Sequence, residues 1–119
     1  MTTIAERMAK FSSDLEYDQL PNEIIHLTKR MMIDTIGCAI GGYSSEPSKI
    51  AREIAATIIP LSPCTIIGSG QESSADLATY ANGVMIRYLD YNDGYTSKQS
   101  GHPSDSIAAV LSATELAGG

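Results

Sequence analysis

The chain has 119 residues, 43% hydrophobic and 18% charged, with fourteen acids against eight bases for a net charge of -6. That is one small globular domain or a piece of a larger one, with an aliphatic core, since there is one Phe, six Tyr and no Trp. The acidic balance excludes nucleic acid and anionic membranes as expected partners, because both select a basic face.

MTTIAERMAK carries charges and no long apolar run, so neither a signal nor a transit peptide is read there, and no segment is apolar enough to span a bilayer. A cytoplasmic protein is expected. Thr2 or Thr3 caps a first helix whose buried face is predicted to be Ile4, Met8, Phe11 and Leu15. SSDLEYDQLPN is a connector. Pro21 and Glu23 suit the first turn of a second helix, with Ile24, Leu27, Met31, Ile36 and Ile40 inward and Gly41-Gly42 as its stop. His26 lies three and four residues from Glu23 and Arg30, spacing that satisfies a surface histidine.

Pro47 opens a third helix with Ile50, Ile54 and Ile58 facing in, and Pro60 and Pro63 end it. CTIIGSG is the one β-like run, either an extended connector or half of a small hairpin. A fourth helix starts from Ser73 or Ser74, buries Leu77, Ala81, Val84, Met85 and Tyr88, and ends near Asp90. Gly83 inside it costs about 1 kcal/mol against alanine, which a close helix crossing would explain. A fifth helix begins near Pro103 and runs to Gly118-Gly119, its apolar face (Ile107, Val110, Leu111, Leu116) lacking partners within this sequence. The prediction is an all-α fold: about five helices, one short β-like connector, and a chain cut from something longer.

Chemistry is concentrated in YLDYNDGYTSKQSGHPSD, residues 88–105. Asp90 and Asp93 sit where a helix dipole disfavours negative charge. They either accept hydrogen bonds from the N–H groups of the YNDG turn or serve a site. His102 sits at the N-terminus of the last helix, where partial positive charge favours a neutral ring able to act as a base, unless it is a surface histidine bonded to a local carbonyl. The free N–H groups of residues 104–106 make an anion site beside it, and Lys98 adds a second positive contact.

Other chemistries fail on spacing. An EF-hand register from Asp90 puts Gly94 at the third ligand position and Gly101 at the twelfth. A zinc site lacks nearby partners for His102, a P-loop lacks its lysine in GSGQESS, and Cys38 and Cys64 are too few for an iron–sulfur cluster. Both thiols are read as reduced, with Cys38 buried. No metal and no cofactor is expected.

LDYNDGYTSKQSGHPSD, preceded by YANGVMIRY and followed by SIAAVLSATELAGG, resembles the N-terminal part of the MmgE/PrpD family, and LPNEIIHLTKRMMIDTIGCAIGG resembles that family's opening helix. The family includes 2-methylcitrate dehydratase, cis-aconitate decarboxylase and iminodisuccinate epimerase. The resemblance implies that residues 1–119 are the first part of a large helical domain, that a smaller lid domain lies outside this chain, and that the whole protein is a homodimer. It also implies catalytic roles for Asp90 and His102, whose twelve-residue spacing resembles the methylcitrate dehydratase branch. Lys98, Ser104 and Asp93 are then expected to bind a small polycarboxylate. Gly94 departs from the threonine that relatives often carry. The implied activity is a metal-independent hydro-lyase, with these 119 residues inactive alone. The other readings are a helical module that binds another protein or, within the family, a cis-aconitate decarboxylase or iminodisuccinate epimerase.

Overall fold

A computed structural model describes residues 2–118. Five α-helices are seen: α1 (Ile4–Asp14), α2 (Asn22–Gly42), α3 (Glu46–Ala55), α4 (Ala75–Arg87) and α5 (Ile107–Leu116). Gly119, expected at the end of the last helix, lies outside the described residues.

The caps follow the sequence. Thr3 Oγ1 accepts from the Glu6 N–H at 3.2 Å while the Glu6 carboxylate accepts from the Thr3 N–H at 2.7 Å. Ser45 caps α3, with Pro47 in its first turn. CTIIGSG is half of a hairpin: β1 (Cys64–Thr65) pairs antiparallel with β2 (Glu72–Ser73), and Gly68 and Gly70 in its turn take φ of 82° and 66°. A second hairpin, absent from the sequence reading, pairs β3 (Tyr95–Thr96) with β4 (Ser100–Gly101) inside the polar loop.

Helix α4 is the hub, packed against α2, α3 and α5. Its neighbours meet it through small residues. Ala39 from α2, Ala51 and Ala55 from α3 and Ala108 from α5 surround Ala78, Ala81, Met85 and Ile86, with Cys64 and Ile66 of the first hairpin completing the core. Buried Asn82 ties that hairpin to α4, accepting from the Ile67 N–H and donating to the Thr65 carbonyl, both at 2.9 Å. Ser73 donates to the Ala55 carbonyl at 2.6 Å, closing the end of α3.

These contacts correct the predicted helix faces. Ile4, Met8, Phe11 and Leu15 are exposed, and no residue of α1 is buried. In α2 the buried residues are Thr35, Cys38, Ala39 and Gly42, while Ile24, Leu27 and Ile40 are exposed. In α3 they are Ser48, Ala51 and Ala55; Ile50 and Ile54 face out, and Ile58 lies beyond the helix. In α4, Ala81 and Met85 are buried as expected but Tyr88 is exposed. The reason is close approach: a helix side of Ala, Ser and Gly brings backbones nearer than an isoleucine stripe can. His26 is exposed and makes no ion pair among the described residues.

The glycine reading also changes. A Cβ on Gly83 would meet nothing within 4 Å, so no crossing occurs there. The tight crossing is at Gly41-Gly42, which lie inside α2 instead of beyond its end. A Cβ on Gly42 would sit 2.4 Å from the Met85 carbonyl oxygen, and one on Gly41 would sit 2.9 Å from Leu89 Cδ1.

Candidate active site

The site begins where α4 stops. The Asp90 N–H bonds to the Arg87 carbonyl at 3.0 Å, and Asp90 takes a φ of 48°, the one positive value at a non-glycine among the described residues. Aspartate tolerates this left-handed conformation better than most side chains. It turns the chain out of the helix and leaves the Asp90 carboxylate 75% exposed, 2.8 Å from Arg87 Nη2.

Arg87 fans out across the loop. Besides Asp90, its Nη1 donates to Asn92 Oδ1 at 2.6 Å, and its Nε lies 3.4 Å from Asp105 Oδ1. One guanidinium, half-buried in the last turn of α4, thus reaches three points of the segment that follows. Its positive charge also offsets the aspartates gathered at the negative end of the helix dipole.

The far end of the loop is the turn of 3-10 helix over Pro103–Ser106, with His102 as its N-cap. Its N–H groups are not open to an outside anion. The Ser104 N–H is shared by both carboxylate oxygens of Asp93, each at 3.2 Å. Asn92 Nδ2 donates to Ser104 Oγ, and Ser104 is completely buried. Asp93 and Ser104, both expected to meet substrate, are bonded to each other. Neither aspartate bonds within the YNDG turn; Asp90 goes to Arg87 and Asp93 to Ser104.

His102 is half-buried, and its Nδ1 lies 2.5 Å from the carbonyl oxygen of Asp93. A carbonyl only accepts, so Nδ1 carries a hydrogen, and in the neutral ring the lone pair then lies on Nε2. Nε2 has no protein partner among the described residues. No hydrogen bond joins His102 to Asp90; the two share the loop and its clasp, not a direct contact. Lys98 stands in the turn between β3 and β4, closed by a Ser97 N–H to Gln99 carbonyl bond of 3.0 Å, and is exposed.

Beside the loop lies an open cleft of about 320 Å³ lined by Asp34, Gly37, Cys38, Leu89 and Tyr91. Leu89 and Tyr91 flank Asp90 in sequence, but neither Asp90 nor His102 lines this cleft. Burial raises the Cys38 thiol pKa above its ordinary value, and the charges of Asp34 and Asp93 add to the effect. A neutral thiol in that position is a packing group, not a nucleophile. Cys64 is raised for the same first reason, burial, with Glu115 contributing. Among the described residues no cluster of three or more His, Cys, Asp or Glu has metal-binding geometry, and no helix is long and apolar enough to cross a membrane.

The sequence that builds this architecture matches one family description. The MmgE/PrpD N-terminal domain covers residues 6–119. The chain belongs to the MmgE/PrpD family. Among curated relatives, the 2-methylcitrate dehydratase-like protein oryR of Aspergillus oryzae is 34% identical over 96 residues, 74% of this chain and 18% of that protein. The 2-methylcitrate dehydratase of Cupriavidus necator is 28% identical over 108 residues, 89% of this chain and 20% of that protein. That of Escherichia coli is 27% identical over 86 residues, 71% of this chain and 18% of the relative. The MmgE/PrpD chain described here therefore spans about a fifth of the length of the relatives it matches.

Sequence reasoning missed Arg87, Asn92 and Asn82. Arg87 stands only three residues before Asp90, a short spacing that could have suggested the pair, but its bonds to Asn92 and Asp105 form only because the loop folds back. Asn92 and Asn82 carry no comparable signal, because Asn92 bonds to the Arg87 guanidinium and the Ser104 hydroxyl, and Asn82 to the backbone of residues 65 and 67, through loop and hairpin geometry that has no period.

Proposed function

We propose that this MmgE/PrpD chain is the N-terminal part of the helical domain of a hydro-lyase that dehydrates 2-methylcitrate to 2-methyl-cis-aconitate by acid–base catalysis. Three of its relatives above carry 2-methylcitrate dehydratase in their names. The observation that carries the reading is the contact of His102: with Nδ1 donating to the Asp93 carbonyl, Nε2 of the neutral ring is the proton acceptor. That is what removal of a proton α to a carboxylate requires. Departure of the β-hydroxyl as water needs an acid, and the exposed carboxyl of Asp90 is assigned that part.

Lys98 is assigned to a substrate carboxylate from the tip of its hairpin. Asp93 and Ser104, engaged with each other, are assigned to holding the loop. The remaining cationic contacts and the lid domain are assigned to residues outside this chain and dimerisation to the helical domain, so the 119 residues alone are expected to be inactive. A cytoplasmic homodimer is part of the same proposal.

The test is His102→Ala in the full-length protein, followed through the ultraviolet absorbance of the conjugated enoate formed from 2-methylcitrate. Loss of a general base lowers kcat by about a hundredfold or more. Activity within about twofold of the parent, with folding intact, would remove His102 from the mechanism.

A further inference from the structure

We infer that Asp93 is a positioning residue for His102, acting through two separate groups of one residue: its carboxylate anchors the loop and its main-chain carbonyl selects the histidine tautomer. The inference deepens the proposed function and rests on His102 being the base.

The geometry is a clasp. Residue 93 meets residue 104 through its side chain and residue 102 through its backbone, so both contacts cross the same loop at its neck. The ladder above them, Tyr95 to Gly101 and Thr96 to Ser100, continues the same pairing outward toward Lys98. Asn92, held by Arg87, reaches Ser104 Oγ from the neighbouring position. The neck is thus tied to the end of α4 on one side and to the buried Ser104 on the other.

A carboxylate that splits one N–H between two oxygens does not lock a single oxygen geometry, but it fixes where residue 93 lies relative to residue 104. His102 is two residues earlier in the chain. The Asp93 carbonyl is consequently held against the imidazole edge, and because it cannot donate, it admits only the tautomer with hydrogen on Nδ1. Without that acceptor, an imidazole in water favours hydrogen on Nε2, which would put a proton on the nitrogen that must receive one. Asp93 needs no contact with substrate to matter.

The test uses full-length protein labelled with ¹⁵N-histidine, the His102 ring signals being assigned by their loss in His102→Gln. In the parent, the ring nitrogens should report a protonated Nδ1 and an unprotonated Nε2. Asp93→Ala should shift His102 toward hydrogen on Nε2 and lower kcat by about tenfold or more, with KM changed by less than about threefold. Asp93→Asn keeps an oxygen that accepts from the Ser104 N–H, so it should retain both the parent tautomer and kcat within about threefold.

Hydrogen on Nε2 in the parent overturns the inference, as does an unchanged tautomer in Asp93→Ala. A kcat loss in Asp93→Asn as large as that of His102→Ala also overturns it, by showing that the charge itself takes part; this variant decides the matter if Asp93→Ala does not fold. An active His102→Ala would instead remove the functional reading while leaving the tautomer measurement to stand by itself.

Discussion

Two glycines in this chain should respond oppositely to the same substitution. In Gly42→Ala the new methyl would lie 2.4 Å from the carbonyl oxygen of Met85, with Tyr88 Cβ at 3.3 Å. Carbon–oxygen contacts are comfortable about 1 Å further out, and the obstacle is backbone inside α4, which no rotamer change can move. Helix α2 must tilt away or α4 must shift. Overpacking of this kind costs about 1–3 kcal/mol, with a backbone obstacle at the upper end, against about 1 kcal/mol gained from alanine in a helix. The net is a loss of about 1–2 kcal/mol, read in the longer full-length protein as a Tm lowered by about 1–2 °C. Because Arg87 and Asp90 lie two and five residues after Met85, kcat should fall as well. In Gly83→Ala the methyl enters open space, so only the helix-propensity gain of about 1 kcal/mol remains and Tm should rise. Thermal unfolding of full-length protein carrying each change separates them. A Tm that rises in both would refute the close α2–α4 crossing.

Asp90→Gly should separate stability from activity. The left-handed backbone at φ 48° suits glycine, and the exposed ion pair with Arg87 contributes little, so Tm should hold or rise while turnover falls by about a hundredfold or more; full activity would remove Asp90 from the chemistry. For the buried thiols, the pKa of Cys38 and Cys64 lies above the ordinary thiol value of 9.0 in the folded chain. The folded state therefore keeps protons that the unfolded state releases. Their contribution to stability is complete below the unfolded value and is lost as pH rises from there through the folded one. Unfolding midpoints that climb between pH 9 and 10 would contradict this, as would rapid reaction of either thiol with a disulfide reagent at pH 8.

The sequence by itself determined the local structure. Thr3 and Glu6, Ser45 and Pro47, and the glycines of the first hairpin act on backbone groups within a few residues, so their effects were legible without knowing the fold. The count and class of the helices followed in the same way. Which side of each helix faces α4 was not legible. α2 and α3 each carry a large aliphatic stripe and a small-residue stripe, and periodicity finds both without ranking them. Only the packed structure chose Ala39, Gly42, Ala51 and Ala55, because backbones can approach closely only where side chains are small. The site divides along the same line. Asp90 and His102 could be named from spacing and resemblance, but Arg87, Asn92 and the two-handed role of Asp93 depend on the loop folding back on itself. A hydrogen bond between residues 93 and 104 has no period and no motif; it exists because two chain ends are held side by side by everything that surrounds them.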